Sequence, residues 1–317
     1  MKLQTRIPLE PASHKINYDS QILLLGSCFT ENIGKRLLFY KFQNLTNPFG
    51  IVFHPLGIEK LITRAINEVC YTEDDLIFQN EQWHCFEVHS SLSHTKKDNV
   101  LSVLNDTLNK LREYILQASH IVFTYGTAWV YRHIETDTIV ANCHKIDQKK
   151  FLKELLTVEE VSASIENTFT LIKDVNPEVQ FIHTISPVRH LKDGFVENTM
   201  SKAHLIAGLH GVIAPRNKTY YFPAYEIMMD ELRDYRFYNQ DMIHPNKTAI
   251  DIIWEQFKLV WISSKTEVTL KEIAAIQVAM LHRPFNPQGE AHQLFLKNLA
   301  LKKANLQKKF PRFTFKI

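Results

Sequence analysis

The fold that this sequence predicts is a doubly wound α/β domain built on a parallel sheet of about five strands, and three observations predict it. Short apolar runs recur along the chain, each ending in a turn and followed by an amphipathic stretch. The runs are too short for helices and too continuously apolar for half-exposed strands, as strands covered on both faces must be. Polar clusters fall immediately after these runs, where open α/β sheets place their sites.

The first run is Ile-Leu-Leu-Leu at 22–25, which ends at Gly26 and is followed by Ile33, Leu37 and Tyr40 at helical spacing. Leu101, Leu104, Leu108, Leu111 and Ile115 lie on one helical face and feed a second strand at 121–125. A third strand is expected at 181–185 and a weaker fourth at 219–222. The run at 22–25 is expected at the centre of the sheet. After His244, the residues Ile250, Ile253, Trp254, Phe257 and Trp261 form the stripe of a closing helix, with Asn246 as its N-cap. Two inserts break the rhythm: 71–95 shows no helical period, and 129–142 alternates around Glu-Thr-Asp-Thr as a hairpin does. Both are expected over the carboxyl edge of the sheet. One or two further helices follow residue 264, separated by Arg-Pro-Phe-Asn-Pro at 283–287. No long polar linker and no internal repeat is present, so a single domain over 1–317 is expected, with its core at about 20–262 and a helical extension over 263–317.

Composition narrows the function classes. The chain of 317 residues is 45% hydrophobic and 22% charged, and its nine glycines and twelve prolines exclude collagen-like and low-complexity classes. With 37 Lys+Arg against 34 Asp+Glu the net charge is +3, too small an excess for a nucleic-acid footprint. Five lysines without an acid between Lys297 and Pro311 read as a solvated helix face. Cys28, Cys70, Cys85 and Cys143 form no C-x-x-C pair and have no zinc-finger histidine spacing, so neither a disulfide framework nor a metal or other cofactor is expected. The first twenty residues contain no apolar signal core, and no stretch approaches the roughly 18 apolar residues of a membrane span, so a cytoplasmic location is expected. The sequence does not report on oligomeric state.

Two clusters carry chemistry. Gly-Ser-Cys-Phe-Thr at 26–30 closes the first strand and opens a helix, so backbone N–H groups and the helix dipole face whatever sits there. A thiol in that position is expected to have a lowered pKa. In Asp-Met-Ile-His-Pro-Asn at 241–246, Pro245 keeps the segment in a non-helical turn. There Asp241 can accept the Nδ1–H of His244 and leave Nε2 free as a base. Arg189 and His190 follow the third strand, either to bind a substrate carboxylate or phosphate or to pair with Glu226 or Asp230. His89 reads as an ordinary loop histidine. Arg233, Asp234 and Arg236 read as a salt-bridge network holding the 241–244 loop.

Gly-Ser-Cys-Phe-Thr, Asn-Pro-Phe-Gly at 47–50, Tyr-Gly-Thr-Ala-Trp-Val-Tyr at 125–131, Asn-Cys-His-Lys at 142–145, Ser-Pro-Val-Arg-His at 186–190 and the run from Asp230 to Pro245 together resemble the GSCFA family. This bacterial family is related to the SGNH/GDSL hydrolases, and the resemblance spans about residues 20–260. It implies a flavodoxin-like sheet of SGNH-hydrolase type and an esterase or acyltransferase, with O-acylated carbohydrate as a substrate class. In that register Gly26 matches the glycine of the first block, and the nucleophile two residues on falls on Cys28. Ser27 takes the place of the block's aspartate, and a shifted turn would present it instead, so both stay candidates. Gly50 resembles the oxyanion-hole glycine of the second block and Gly126 the glycine of the third. The asparagine expected two residues after Gly126 is Ala128, and Asn142, or alternatively Thr127, is the expected substitute. The bland alternatives are that Gly50 and Gly126 serve only turns, and that Asn142 and His144 cap a hairpin. The alternative function is a non-catalytic binding or assembly protein on an inherited hydrolase fold. Metal-dependent phosphoester chemistry through Asp241, His244 and His144 is a poorer third, since no paired-metal spacing is present.

Overall fold

The computed structural model describes residues 4–315. β1 (Gln21–Gly26) leads into α1 (Cys28–Phe39), β2 (Gln43–Thr46) and α2 (Pro55–Ile66). The hairpin β3 (Leu76–Gln79) and β4 (Gln82–Cys85) precedes α3 (Lys97–Gln117) and β5 (His120–Tyr125). Three short strands, β6 (Trp129–His133), β7 (Thr138–Val140) and β8 (Phe151–Leu155), stand before α4 (Val158–Val175) and β9 (Gln180–Ile185). The chain continues through α5 (Phe195–Val212), β10 (Thr219–Tyr221) and the short α6 (Ala224–Glu226), which runs into a π-turn over Ile227–Glu231. α7 (Lys247–Trp261), α8 (Glu267–Met280) and α9 (Glu290–Lys309) follow.

The five-stranded sheet has the order β2-β1-β5-β9-β10, and every pairing in it is parallel. Strand order reverses between β1 and β5, and a crevice at the carboxyl ends of those strands is where such sheets bind ligands. β1 has neighbours on both sides, but the middle strand is β5, one place from where the 22–25 run was expected. The difference comes from β2, a single polar edge strand (Gln-Asn-Leu-Thr) whose one apolar residue gives no signal.

Alternation along the strands builds two cores. Leu23, Leu25, Phe123, Tyr125, Phe181 and Ile185 face α2 to α5, where Leu104, Leu108, Leu111 and Ile115 of α3 are buried. Ile22, Leu24, Val122 and Ile182 face the other way, against α1 and α7. The C-terminal extension joins that second core through Leu270, Ile273 and Ile276 of α8 and Leu299 and Leu306 of α9. Each such side chain, fully buried, contributes about 1.5–3 kcal/mol, enough to fix the extension to the sheet layer. Lys297, Lys302, Lys308 and Lys309 are exposed on α9.

The 129–142 insert is a hairpin, β6 paired antiparallel with β7, and β8 adds a third strand on its other side. The 71–95 insert holds the second hairpin, with Phe78 opposite Trp83. The inserts are pinned together, since the N–H groups of Ala141 and Asn142 both donate to the Phe86 carbonyl, and His89 N–H donates to Phe49 O. Among the described residues no helix is long and apolar enough to cross a membrane.

Candidate active site

The turn after β1 is built on Gly26. Its φ of +141° is open to glycine, and a side chain there would run into the Thr124 carbonyl of β5. Gly26 N–H donates to Asn47 Oδ1 at 2.9 Å and Ser27 N–H to Thr124 O at 3.0 Å, which fixes the start of α1. Ser27 is 0% exposed, and its Oγ accepts the Phe29 N–H at 3.3 Å as the N-cap of α1. Cys28, the first residue of the helix, is partly exposed. Its pKa is raised, contrary to the expectation from its helix position. Burial pushes the thiol up and Glu31 adds to this, outweighing Lys202 and the N–H groups of Cys28 and Phe29, which favour the thiolate.

Lys202 of α5 was not legible as a site residue, yet it sits at the centre of this edge. It is 1% exposed, and Nζ donates to Gly126 O at 2.8 Å and Ser186 O at 2.7 Å, the residues that follow β5 and β9. It forms no ion pair with a carboxylate among the described residues. Burial lowers its pKa to about 7, opposed by the nearby Cys28. The signal in the sequence is periodic: Asn198, Ser201, Lys202, Leu205 and Leu209 form the buried face of α5, so a lysine interrupts a core stripe.

Asp241 and His244 are joined by an Nδ1 to Oδ2 hydrogen bond of 2.7 Å. Asp241 Oδ1 accepts the N–H groups of Ile243 at 2.9 Å and His244 at 3.0 Å. The backbone N–H groups of His244 and Ile243, then the imidazole, hold the carboxyl down at about 2. The loop is closed by Asn239 N–H on His244 O and Asn246 N–H on Phe237 O, both 2.8 Å. Asn246 also caps α7, its Oδ1 accepting from Ala249 N–H. The pair is half-exposed, at 46% for Asp241 and 47% for His244. No hydrogen bond joins His244 to Cys28 or Ser27 among the described residues.

The oxyanion candidates are engaged elsewhere. Gly50, at φ +75°, donates its N–H to Asn47 O at 2.8 Å in a turn. The N–H groups of Gly126 and Thr127 both donate to Phe53 O, at 2.7 and 3.3 Å. Thr127 Oγ1 is 3.0 Å from Ser201 Oγ and accepts the Trp129 N–H. Asn142 Oδ1 accepts the His144 N–H at 2.9 Å, so it caps a turn beside Phe86. His144 Nε2 donates to Cys85 O at 2.7 Å, and its ring lies tilted by 32° with its centre 4.6 Å from that of His84. His89 caps a short 3₁₀ turn at Ser90–Leu92.

His190 lies at the candidate site. Its N–H donates to Asn198 Oδ1 at 2.9 Å, and its ring meets Phe53 edge-on at 5.1 Å. Nε2 is buried and has no partner. Burial, with Lys202, lowers the ring's pKa to about 4, and the charge of His244 acts in the same direction. Arg189 makes no ion pair with Glu226 or Asp230; Glu226 instead accepts the Tyr221 hydroxyl at 2.8 Å. Arg189 Nη2 lies 3.4 Å from Met229 Sδ. With Tyr225, Tyr235, Tyr238 and Asp241 it lines a cavity of about 600 Å³. The expected network at 233–236 reduces to an Arg236–Asp234 pair at 3.8 Å, because Asp234 caps the turn through Arg236 N–H. Among the described residues no group of three or more His, Cys, Asp or Glu side chains is placed to hold a metal ion.

The sequence matches the model of the GSCFA family over residues 21–257 and that of the GSCFA domain protein, C-terminal domain, over residues 273–316. No curated protein matches it. A crystal structure of an acetyl esterase mutant with acetate ion is similar over 80% of this chain and 99% of that one. The identity is 11% and the TM-score 0.31, a likeness too slight to carry weight for fold or function.

Proposed function

We propose, from the premise that the chain belongs to the GSCFA family, that it is an ester hydrolase or acyltransferase with Cys28 as nucleophile, His244 as base and then acid, and Asp241 as the group that orients it. The observation that carries this reading is the place of Cys28. It is the partly exposed first residue of α1, at the carboxyl end of β1 beside the strand-order reversal, while Ser27 is buried and capping.

The raised pKa of Cys28 means that a thiol, not a preformed thiolate, meets the substrate, so a base is required. His244 Nε2 takes the thiol proton as Sγ bonds to the acyl carbon, and the carbonyl electron pair moves onto oxygen. Collapse of that intermediate breaks the bond to the alcohol, which leaves with the proton from His244. Water or an acceptor hydroxyl then attacks the thioester with His244 again as base, and Cys28 returns as a thiol. The transfer needs Nε2 within hydrogen-bond reach of Sγ. The cavity beside Asp241, with its tyrosine rings and Arg189, suits the polar and apolar faces of a sugar, so O-acylated carbohydrate is the substrate class.

The test is a panel of acetylated sugars and acyl-thioesters assayed with the native chain, Cys28→Ala and His244→Ala. Turnover that falls at least 100-fold in both variants supports the reading; turnover equal to that of the native chain rejects it. A second reading, a non-catalytic sugar-binding protein, is favoured by the engaged N–H groups of Gly50 and Gly126. It predicts sugar binding without turnover, unchanged in Cys28→Ala.

A further inference from the structure

We propose that His190 donates Nε2–H to the oxyanion that forms when Cys28 attacks the acyl carbonyl. The inference rests on the acyl-transfer reading and deepens it. An acyl-transfer site needs donors aimed at the developing oxyanion. The N–H groups of Gly50, Gly126 and Thr127 are all committed to carbonyls, and Asn142 caps a turn. His190 Nε2 is the contrasting case: it is buried, it has no partner, and it lies against Gly126, the residue after β5. A buried polar nitrogen left unpaired calls for a partner that the resting protein lacks.

Gly126 supports this placement. Its φ is not positive, so no turn demands a glycine there. A Cβ on Gly126 would lie 3.1 Å from His190 Nε2 and 3.4 Å from Phe53, so the missing side chain gives the imidazole its room. Asn198 Oδ1 holds the His190 backbone N–H, and the ring packs at a near-right angle against Phe53. The same Gly126 carbonyl receives Lys202 Nζ, which is electrostatically coupled to both Cys28 and His190. The groups that bear on the ring are therefore Lys202 and His244, which disfavour its protonation, and Asp193, which favours it and is itself bonded to Lys153 at 2.6 Å. A neutral imidazole in its Nε2–H form donates one hydrogen bond and gives up no proton. When the Sγ–C bond forms, the carbonyl π pair becomes the oxyanion lone pair that accepts Nε2–H. When the C=O bond re-forms, the alkoxide leaves with the proton from His244, and His190 is unchanged.

The experiment is steady-state hydrolysis of p-nitrophenyl acetate by the native chain, Cys28→Ala, His190→Phe, His190→Gln and Gly126→Ala, with pH profiles. His190→Phe keeps a ring against Phe53 but has no donor, and should lower kcat about 100- to 1000-fold with KM changed by less than about threefold. His190→Gln restores an N–H near the same place and should recover at least about tenfold of that loss, with the pH limbs of the profile unmoved. Gly126→Ala leaves the imidazole present but displaced, and should lower kcat about tenfold or more, which keeps the test sound if His190→Phe does not fold. With Cys28→Ala inactive, a His190→Phe kcat within threefold of native overturns this inference alone. A His190→Phe loss that glutamine does not recover, with a shifted pH limb, makes His190 a base and also overturns it. If Cys28→Ala is as active as the native chain, the underlying reading fails, and this inference with it.

Discussion

Asp241 holds His244 by two hydrogen bonds, Oδ2 accepting Nδ1–H at 2.7 Å and Oδ1 accepting the His244 backbone N–H, and Oδ1 also accepts the backbone N–H of Ile243. One carboxylate therefore fixes both the ring and the turn that carries it, and the tautomer with a free Nε2 follows. Replacing Asp241 by Asn should lower kcat by about 10²- to 10⁴-fold, because an amide favours the wrong tautomer. Steady-state kinetics on an acetylated substrate check this, and an unchanged kcat would remove Asp241 from the mechanism. The folded-state pKa of Asp241 is depressed to about 2, so its contribution to stability is full above the ordinary carboxylate value and is lost as pH falls through about 2.

Lys202 also makes stability rise with pH, but in a higher window and through a burial penalty that is relieved instead of a contribution that is lost. Its folded-state pKa is lowered to about 7, so between about pH 7 and its ordinary value the unfolded chain binds more protons than the folded one. The penalty for burying the charge is full below about pH 7 and is relieved as pH rises. Denaturant unfolding of Lys202→Met and the native chain at pH 6, 8 and 10 should show the variant's stability falling relative to native as pH rises. A difference that is constant, or that grows in the variant's favour, contradicts a buried, destabilised ammonium.

Cys28 should behave as a partly shielded thiol, not as a standing thiolate. Exposed Cys70 should be alkylated by iodoacetamide before Cys28, and Cys28 before Cys85, whose thiol burial raises to about 12. The Cys28 rate should keep rising with pH beyond the ordinary thiol value, and Glu31→Gln should increase it by removing a like charge. A rate that levels off below pH 8 would show a thiolate that these surroundings do not produce.

Gly26→Ala should cost about 1–3 kcal/mol or more in unfolding free energy, through strain at a positive φ and contact with the Thr124 carbonyl. A denaturation midpoint equal to the native one would mean that the β1 turn has another conformation open to it.

The strands β1, β5 and β9 were legible because a parallel strand buried on both faces must be apolar throughout. β2 was not legible, being a polar edge strand, and the pairing of β8 to β6 depends on contacts distant in sequence. The Asp241–His244 bond lies within one turn, so the spacing together with Pro245 and the position before the closing helix made it legible. Lys202, and the approach of His190 to Gly126, join segments brought together only by the sheet. Asn142 shows the reverse: its side chain satisfies a local N–H first, as short polar side chains do, and spacing could not reveal this.

The most direct measurement is the identity of the acylated residue. The native chain is mixed with excess p-nitrophenyl acetate, quenched in acid, digested and mapped by mass spectrometry, alongside Cys28→Ala and Ser27→Ala. The account predicts one acetyl group on Cys28 in the native chain and in Ser27→Ala, and none in Cys28→Ala. Acetylation of Ser27, or turnover in Cys28→Ala equal to native, would contradict it.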